Sequence, residues 1–402
     1  MYLTISLALF LALLPFLTAA AAPLSVRPRP TLSDLVELQL SHLTLEEKIG
    51  QLFIVTPDNG WESQLHTFHP GGFILFSRHA RELDSTLQLL EQIRRQSAIL
   101  PFLAVDQEGG RVSRLLFATQ TPPAGNLAGL SDKAVKNLGQ LVGRELRELG
   151  FNLNFAPVMD VNTCSKNPVI GNRSFSADPY EVARLGRAYI QGLHSAGIAS
   201  AAKHFPGHGD THADSHLTLP TVTQTLERIE TVELLPFRAA VLADTDFIMM
   251  AHVAYPALEP RQAWPASLSS AIITELLRQE LGYSGLVITD AMNMKAVTDR
   301  MTAGEAAKTA FLAGVDVILM PEDFPAAFQA LHEAVRSGEI PLARLNASVR
   351  RILILKARLT DSVEIPFADR RQKAAATVGS PEHQVWLRQI LHDAPDLPDS
   401  PK

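Results

Sequence analysis

The sequence predicts a (β/α)8 TIM-type barrel, an α/β fold built as one domain. Three observations carry that expectation. Eight apolar runs of strand length recur along the chain, longer amphipathic stretches alternate with them, and no glycine-rich dinucleotide fingerprint follows the first run. A doubly wound open sheet is the alternative, and both the strand count and the missing fingerprint weigh against it.

In order, the predicted strands are Gly50–Val55, Gly71–Phe76, Phe102–Gln107, Leu153–Val161, Ile198–Phe205, Phe247–Val253, Gly285–Ala291 and Val315–Pro321. Between them, helical patterns run over Asp132–Leu149, Pro179–Ala196, Leu226–Leu242 and Ser270–Leu281. Gly150, Gly197 and Gly282 sit where left-handed caps end such helices. A last barrel helix is predicted over Leu342–Leu359. Beyond it the chain turns polar and then Pro-rich, so residues 361–402 read as a short helix and a flexible tail.

The N-terminus reads as an export signal. An uncharged apolar run from Leu3 to Leu17 is followed by Ala19–Ala22, the small residues that signal peptidase accepts. Residues 1–22 are the expected signal peptide, 23–33 a Pro-rich linker containing SVRPRPT, and 34–360 the barrel. An uncleaved anchor is the competing reading, although the run barely reaches the roughly 20 residues that span a bilayer. After cleavage no stable membrane association is expected, and the mature protein would be periplasmic or extracellular in a bacterium.

Composition narrows the partners. The 402 residues carry 36 Lys+Arg against 42 Asp+Glu, a net charge of −6, so no basic excess exists to neutralise phosphates and nucleic acid is not an expected partner. With 46% apolar and 19% charged residues the chain is a folded globular protein. Its one cysteine, Cys164, excludes an intramolecular disulfide and any cysteine cluster for a metal.

In a barrel, chemistry belongs at the C-terminal ends of the strands. The polar residues closing the predicted strands are Asp106, Asp160, Lys203, His204, His252 and Asp290. Converging carboxylates and cations suit a polar, hydroxylated substrate. The densest stretch is KHFPGHGDTHADSH, Lys203–His216, with four His, two Asp and one Lys. Although its histidines recur every four residues, Pro206, Gly207 and Gly209 exclude the helix that would align them. A metal site and a plain polar surface loop are the alternatives. Neither a helical HExxH pattern nor a Cys/His finger is present, so no metal and no cofactor is expected. Cys164 has no base beside it in sequence and reads as a passive residue.

The same stretch resembles the signature loop of the β-N-acetylhexosaminidases of glycoside hydrolase family three. LTLEEKIGQLF, GGFILFSR, VDQEGGRVSR, NPVIGNRSF, MAHVAYPAL, GLVITDAM and GVDVILMP also resemble the family in order, over about Leu43–Leu359. The resemblance implies a single catalytic domain that removes terminal β-linked N-acetylhexosamine with retention of configuration, from a small saccharide or muropeptide substrate. A monomer is expected. By motif, Asp290 corresponds to the nucleophile, His216 to the general acid/base and Asp214 to its carboxylate partner. Asp106, Arg114, Arg173, Lys203 and His204 correspond to residues that hold the sugar. A histidine acid is chemically sound, because its unperturbed pKa of about 6.5 lies near working pH and a nearby carboxylate can orient the ring. One departure is His79, where the family often has Asn after the Arg of the second strand's exit. A glycoside phosphorylase, a family member of other specificity and a catalytically silent glycan-binding barrel remain the alternatives.

Overall fold

The computed structural model describes residues 31–215, 217–360 and 365–392. Eight parallel strands form the sheet: β1 Phe53–Val55, β2 Gly72–Leu75, β3 Phe102–Val105, β4 Leu153–Asn154, β5 Ala199–Phe205, β6 Phe247–Met250, β7 Leu286–Thr289 and β8 Ile318–Leu319. Neighbours follow chain order from β1 to β7, and β8 pairs with β1 through Phe53↔Ile318 and Ile54↔Leu319. A parallel bridge between Ile288 and Val317 joins β7 to β8 and closes the barrel.

Every residue of these strands is buried, because helices cover the outside and side chains fill the inside. That explains why the strands read as continuous apolar runs. At the N-terminal end of the barrel the Phe102 and Phe247 rings meet edge to face, centroids 5.2 Å apart. Gly72 is required for β2 to lie against β3, since a Cβ there would fall 2.5 Å from the Phe102 carbonyl oxygen.

The structure departs from the sequence expectations in five places. The predicted fourth strand is regular for only two residues, because Pro157 has no N–H for the ladder; a single parallel bridge, Val158↔Lys203, continues it. The predicted helix 226–242 widens into a π turn over Ile229–Glu233, shortly before Pro236, and the helix predicted over 270–281 is wide-turned throughout Ala271–Glu280. Helix Leu32–His42 begins inside the predicted linker, where Thr31 and Asp34 form a capping box. Two helices, Phe367–Thr377 and Pro381–Leu391, replace the single short helix expected after the barrel. The predicted signal segment 1–22 and the last residues 393–402 lie outside the described residues. No described helix is long and apolar enough to cross a membrane.

Candidate functional site

Two carboxylates and two cations interlock at the C-terminal ends of β3 and β5. Lys203, near the end of β5, is 2% exposed, and its Nζ donates to Asp106 Oδ1 at 2.7 Å and lies 2.6 Å from Glu108 Oε1. Glu108 in turn receives both Nε and Nη2 of Arg173, each at 2.8 Å. Burial acts to raise the Glu108 pKa, but the charges of Lys203 and Arg173 overcome it and hold the carboxyl far below the usual carboxylate range. Burial likewise acts to depress Lys203, and Asp106 and Glu108 reverse it, so the ammonium stays charged.

Arg114 joins the cluster at longer range. Its Nη2 is 3.8 Å from Asp106 Oδ2, and its guanidinium lies 5.5 Å from the Phe76 ring centroid. Gln107 Oε1 accepts the Arg114 N–H at 2.9 Å and so fixes the backbone. The Arg114 Nε is buried without a protein acceptor, the kind of donor a hydroxylated ligand completes.

Asp160, fully buried, organises the start of the His-rich loop. Its Oδ2 pairs with His204 Nδ1 at 2.7 Å, and its Oδ1 accepts the backbone N–H groups of His204 and His208 at 3.2 and 2.6 Å. A carboxylate with those partners stays ionised although burial opposes it. With Nδ1 committed to Asp160, His204 has Nε2 left for the barrel mouth or a ligand. His208 is turned the other way, its Nδ1 2.9 Å from Thr211 Oγ1 and its Nε2 3.1 Å from Ser215 Oγ. Burial pushes its pKa down to about 4, so it is a neutral brace near pH 7.

The loop then folds back toward β7. Asp214 is partly buried, and its carbonyl accepts the N–H groups of Leu217 and Thr218 at 2.9 and 3.0 Å. His216, the acid/base implied by the resemblance, lies outside the described residues. Asp290 directly follows β7; its Oδ1 accepts the Ala291 N–H at 2.8 Å. Burial works against its ionisation, yet the neighbouring His204 and His252 and the Ala291 N–H hold its pKa below the ordinary value. His252 is itself tied off, Nδ1 to Ser267 Oγ at 2.7 Å and Nε2 to the Ala291 carbonyl at 3.1 Å.

Of the residues singled out from the sequence, Asp106, Lys203, His204 and Asp290 come together at the ends of β3, β5 and β7, and Arg114 and Arg173 reach the same cluster from loops. Glu108 was missed. The signal was available, since residues two apart in an extended segment face the same way and Asp106 and Glu108 are so spaced. Cys164 does have a base beside it, His212 Nδ1 at 3.3 Å from Sγ, brought there by folding rather than by sequence. His79, the departure from the family pattern, is a brace: its Nδ1 accepts the Phe76 N–H at 3.1 Å while Nε2 faces Asp58 Oδ1 at 2.9 Å. Among the described residues, no group of three or more His, Cys, Asp or Glu is arranged to hold a metal ion.

Comparison with known proteins converges on one family. Residues 44–355 match the glycosyl hydrolase family 3 N-terminal domain. The chain is 37% identical over 345 residues to beta-hexosaminidase A of Pseudoalteromonas piscicida, an alignment spanning 78% of this chain and 57% of that protein. It is 37% identical over 286 residues to the beta-hexosaminidase of Pseudomonas aeruginosa, spanning 69% and 83% respectively. Among solved structures it is similar to a glycoside hydrolase family 3 beta-N-acetylglucosaminidase from Paenibacillus sp., with a TM-score of 0.80, 38% identity and coverage of 87% of this chain and 68% of that one.

Proposed function

The chain belongs to glycosyl hydrolase family 3 through that family's N-terminal domain, and on that premise we propose that it is a retaining exo-β-N-acetylhexosaminidase. The observation that carries the reading is Asp290: an ionised carboxylate at the end of a barrel strand, within the field of Lys203 and His204. A carboxylate so held can attack an anomeric carbon while the cations and hydroxyl-binding groups around it hold the ring.

In the proposed first step, Asp290 forms a bond to the anomeric carbon as the bond to the leaving oxygen breaks. His216 gives that oxygen its proton, and Asp214 steadies the imidazolium. In the second step His216 takes a proton from water, the water oxygen bonds to the anomeric carbon, and Asp290 departs as a carboxylate. Two inversions give retention. Asp106, Arg114, Arg173, Lys203 and His204 hold the terminal sugar, and Glu108 fixes the two cations. No metal or cofactor enters this chemistry.

The substrate we propose is a peptidoglycan-derived saccharide or muropeptide met outside the cytoplasm, after an export signal over residues 1–22 has been removed. The similarity to beta-hexosaminidases supports the sugar, and the apolar N-terminal run supports the compartment. The deciding measurement compares nitrophenyl β-N-acetylglucosaminide with nitrophenyl β-glucoside, each with and without phosphate. The proposal expects fast release from the N-acetylated substrate, independent of phosphate. A preference for the glucoside, or a sugar phosphate as product, overturns it.

A further inference from the structure

The helices Phe367–Thr377 and Pro381–Leu391 lie beyond the family match at 44–355, yet they reach the loop that carries Arg114. One buried carboxylate makes the connection. Glu145, in helix Asp132–Leu149, accepts the Thr119 N–H at 2.8 Å and the Thr119 hydroxyl at 2.6 Å. It also accepts the Gly379 N–H at 3.0 Å and His383 Nδ1 at 2.8 Å. Glu145, Thr119 and His383 are all buried. The Glu145 oxygens already accept backbone N–H groups from Thr119 and Gly379, and His383 Nδ1 is the third partner gathered on them.

Backbone packing strengthens the tie. A Cβ at Gly379 would fall 2.4 Å from the Phe117 carbonyl oxygen, so the turn between the two helices is seated directly on the loop. Within the loop, Gln120 Nε2 donates to the carbonyls of Leu115 and Ala118 at 3.0 and 2.8 Å, which makes Arg114 and Thr119 ends of one stiff segment. The same segment supports the turn after Glu108, where the Gly110 N–H donates to the Thr121 carbonyl at 2.9 Å.

We infer that the C-terminal helical pair is a positioning element of the sugar site, setting through Glu145 where segment 115–121 holds Arg114 and the turn after Glu108. The inference rests on the proposed reading of that cluster as the sugar's binding groups.

The test uses the full chain. His383→Ala, His383→Asn, Thr119→Val, Arg114→Ala and the double variant His383→Ala/Arg114→Ala are compared for kcat and KM on nitrophenyl β-N-acetylglucosaminide and for calorimetric Kd with N-acetylglucosamine. His383→Ala should raise KM and Kd about three- to tenfold with kcat within about twofold, and Thr119→Val should follow it more weakly. His383→Asn, whose amide can still donate to Glu145, should recover most of the loss. In the Arg114→Ala background His383→Ala should add little, because groups that act through one another are not additive. Unchanged KM and Kd in folded His383→Ala and Thr119→Val, or full additivity with Arg114→Ala, overturns the inference. A wild-type protein that neither cleaves the aryl glycoside nor binds N-acetylglucosamine defeats the sugar-site reading itself, and the inference falls with it.

Discussion

Arg173 grips Glu108 with two parallel hydrogen bonds, Nε to Oε2 and Nη2 to Oε1, both at 2.8 Å. Such a fork fixes the guanidinium plane as well as its position. Because Lys203 shares the same carboxylate, one glutamate that the sequence reading passed over determines where two of the proposed sugar-binding cations stand.

Glu108→Gln is therefore expected to cost more than a peripheral change. It leaves the part-buried Arg173 without its counter-charge and the buried Lys203 with Asp106 alone, for which breaking a buried pair suggests a stability loss of about 3–5 kcal/mol. Displacing the sugar-binding cations should lower kcat/KM about 10- to 100-fold. Steady-state kinetics and denaturant unfolding of the same preparation measure both; a variant with wild-type kcat/KM would remove Glu108 from the site.

Asp290→Asn should reduce kcat by a factor on the order of 10⁴ or more while the protein stays folded, since the residue follows a strand rather than filling the core. A fluorinated slow substrate followed by peptide mapping should find the sugar on Asp290. Its recovery on Asp106 or Asp160 would reassign the nucleophile.

For the acid/base the informative quantity is the leaving group. His216→Ala should slow a natural disaccharide far more than a nitrophenyl glycoside, because a nitrophenolate leaves with little proton assistance. Asp214→Ala should give a milder version of the same pattern across pH. Equal losses on both substrates from both variants would show that this loop positions the sugar instead of moving a proton.

Lys356 carries a pH prediction for stability. It is 3% exposed, hydrogen-bonded to Gln51 Oε1 at 2.7 Å and 4.9 Å from the Phe102 ring centroid; burial pushes its pKa down to about 7. In the unfolded chain a lysine titrates near 10.4, so from about pH 7 to 10 the unfolded state binds more protons, and this group makes stability rise with pH over that window. Below about pH 7 the full penalty of a buried ammonium is present. Lys356→Met should raise stability at pH 7 by roughly 1–3 kcal/mol, the gain being limited by the acceptor left on Gln51. It should also flatten the rise toward pH 9 that urea unfolding is expected to show for the wild type. Parallel pH profiles of the two proteins would disprove the assignment.

Export predicts a processed N-terminus. Protein recovered from a bacterial host should begin near Ala21–Pro23 and be found in the soluble extracytoplasmic fraction. An intact Met1 in the membrane fraction would favour the anchor.

Residue order alone was enough for the barrel, because parallel strands buried on both faces must be apolar throughout; each of the eight predicted runs contains one of the eight strands. It also located Asp106, Lys203, His204 and Asp290, since a polar residue ending such a run stands at the barrel mouth. Strand edges were less legible, as at Pro157, where the chain continues without the hydrogen bonds that define a strand. Which of these groups meet is settled by folding. Lys203 and Asp106 are 97 residues apart, Glu145 and His383 are 238 apart, and Cys164 and His212 are 48 apart. Local patterning sets which way a side chain faces, but contacts at such separations exist only once the sheet closes and the C-terminal helices dock, so neither periodicity nor motif spacing carries them.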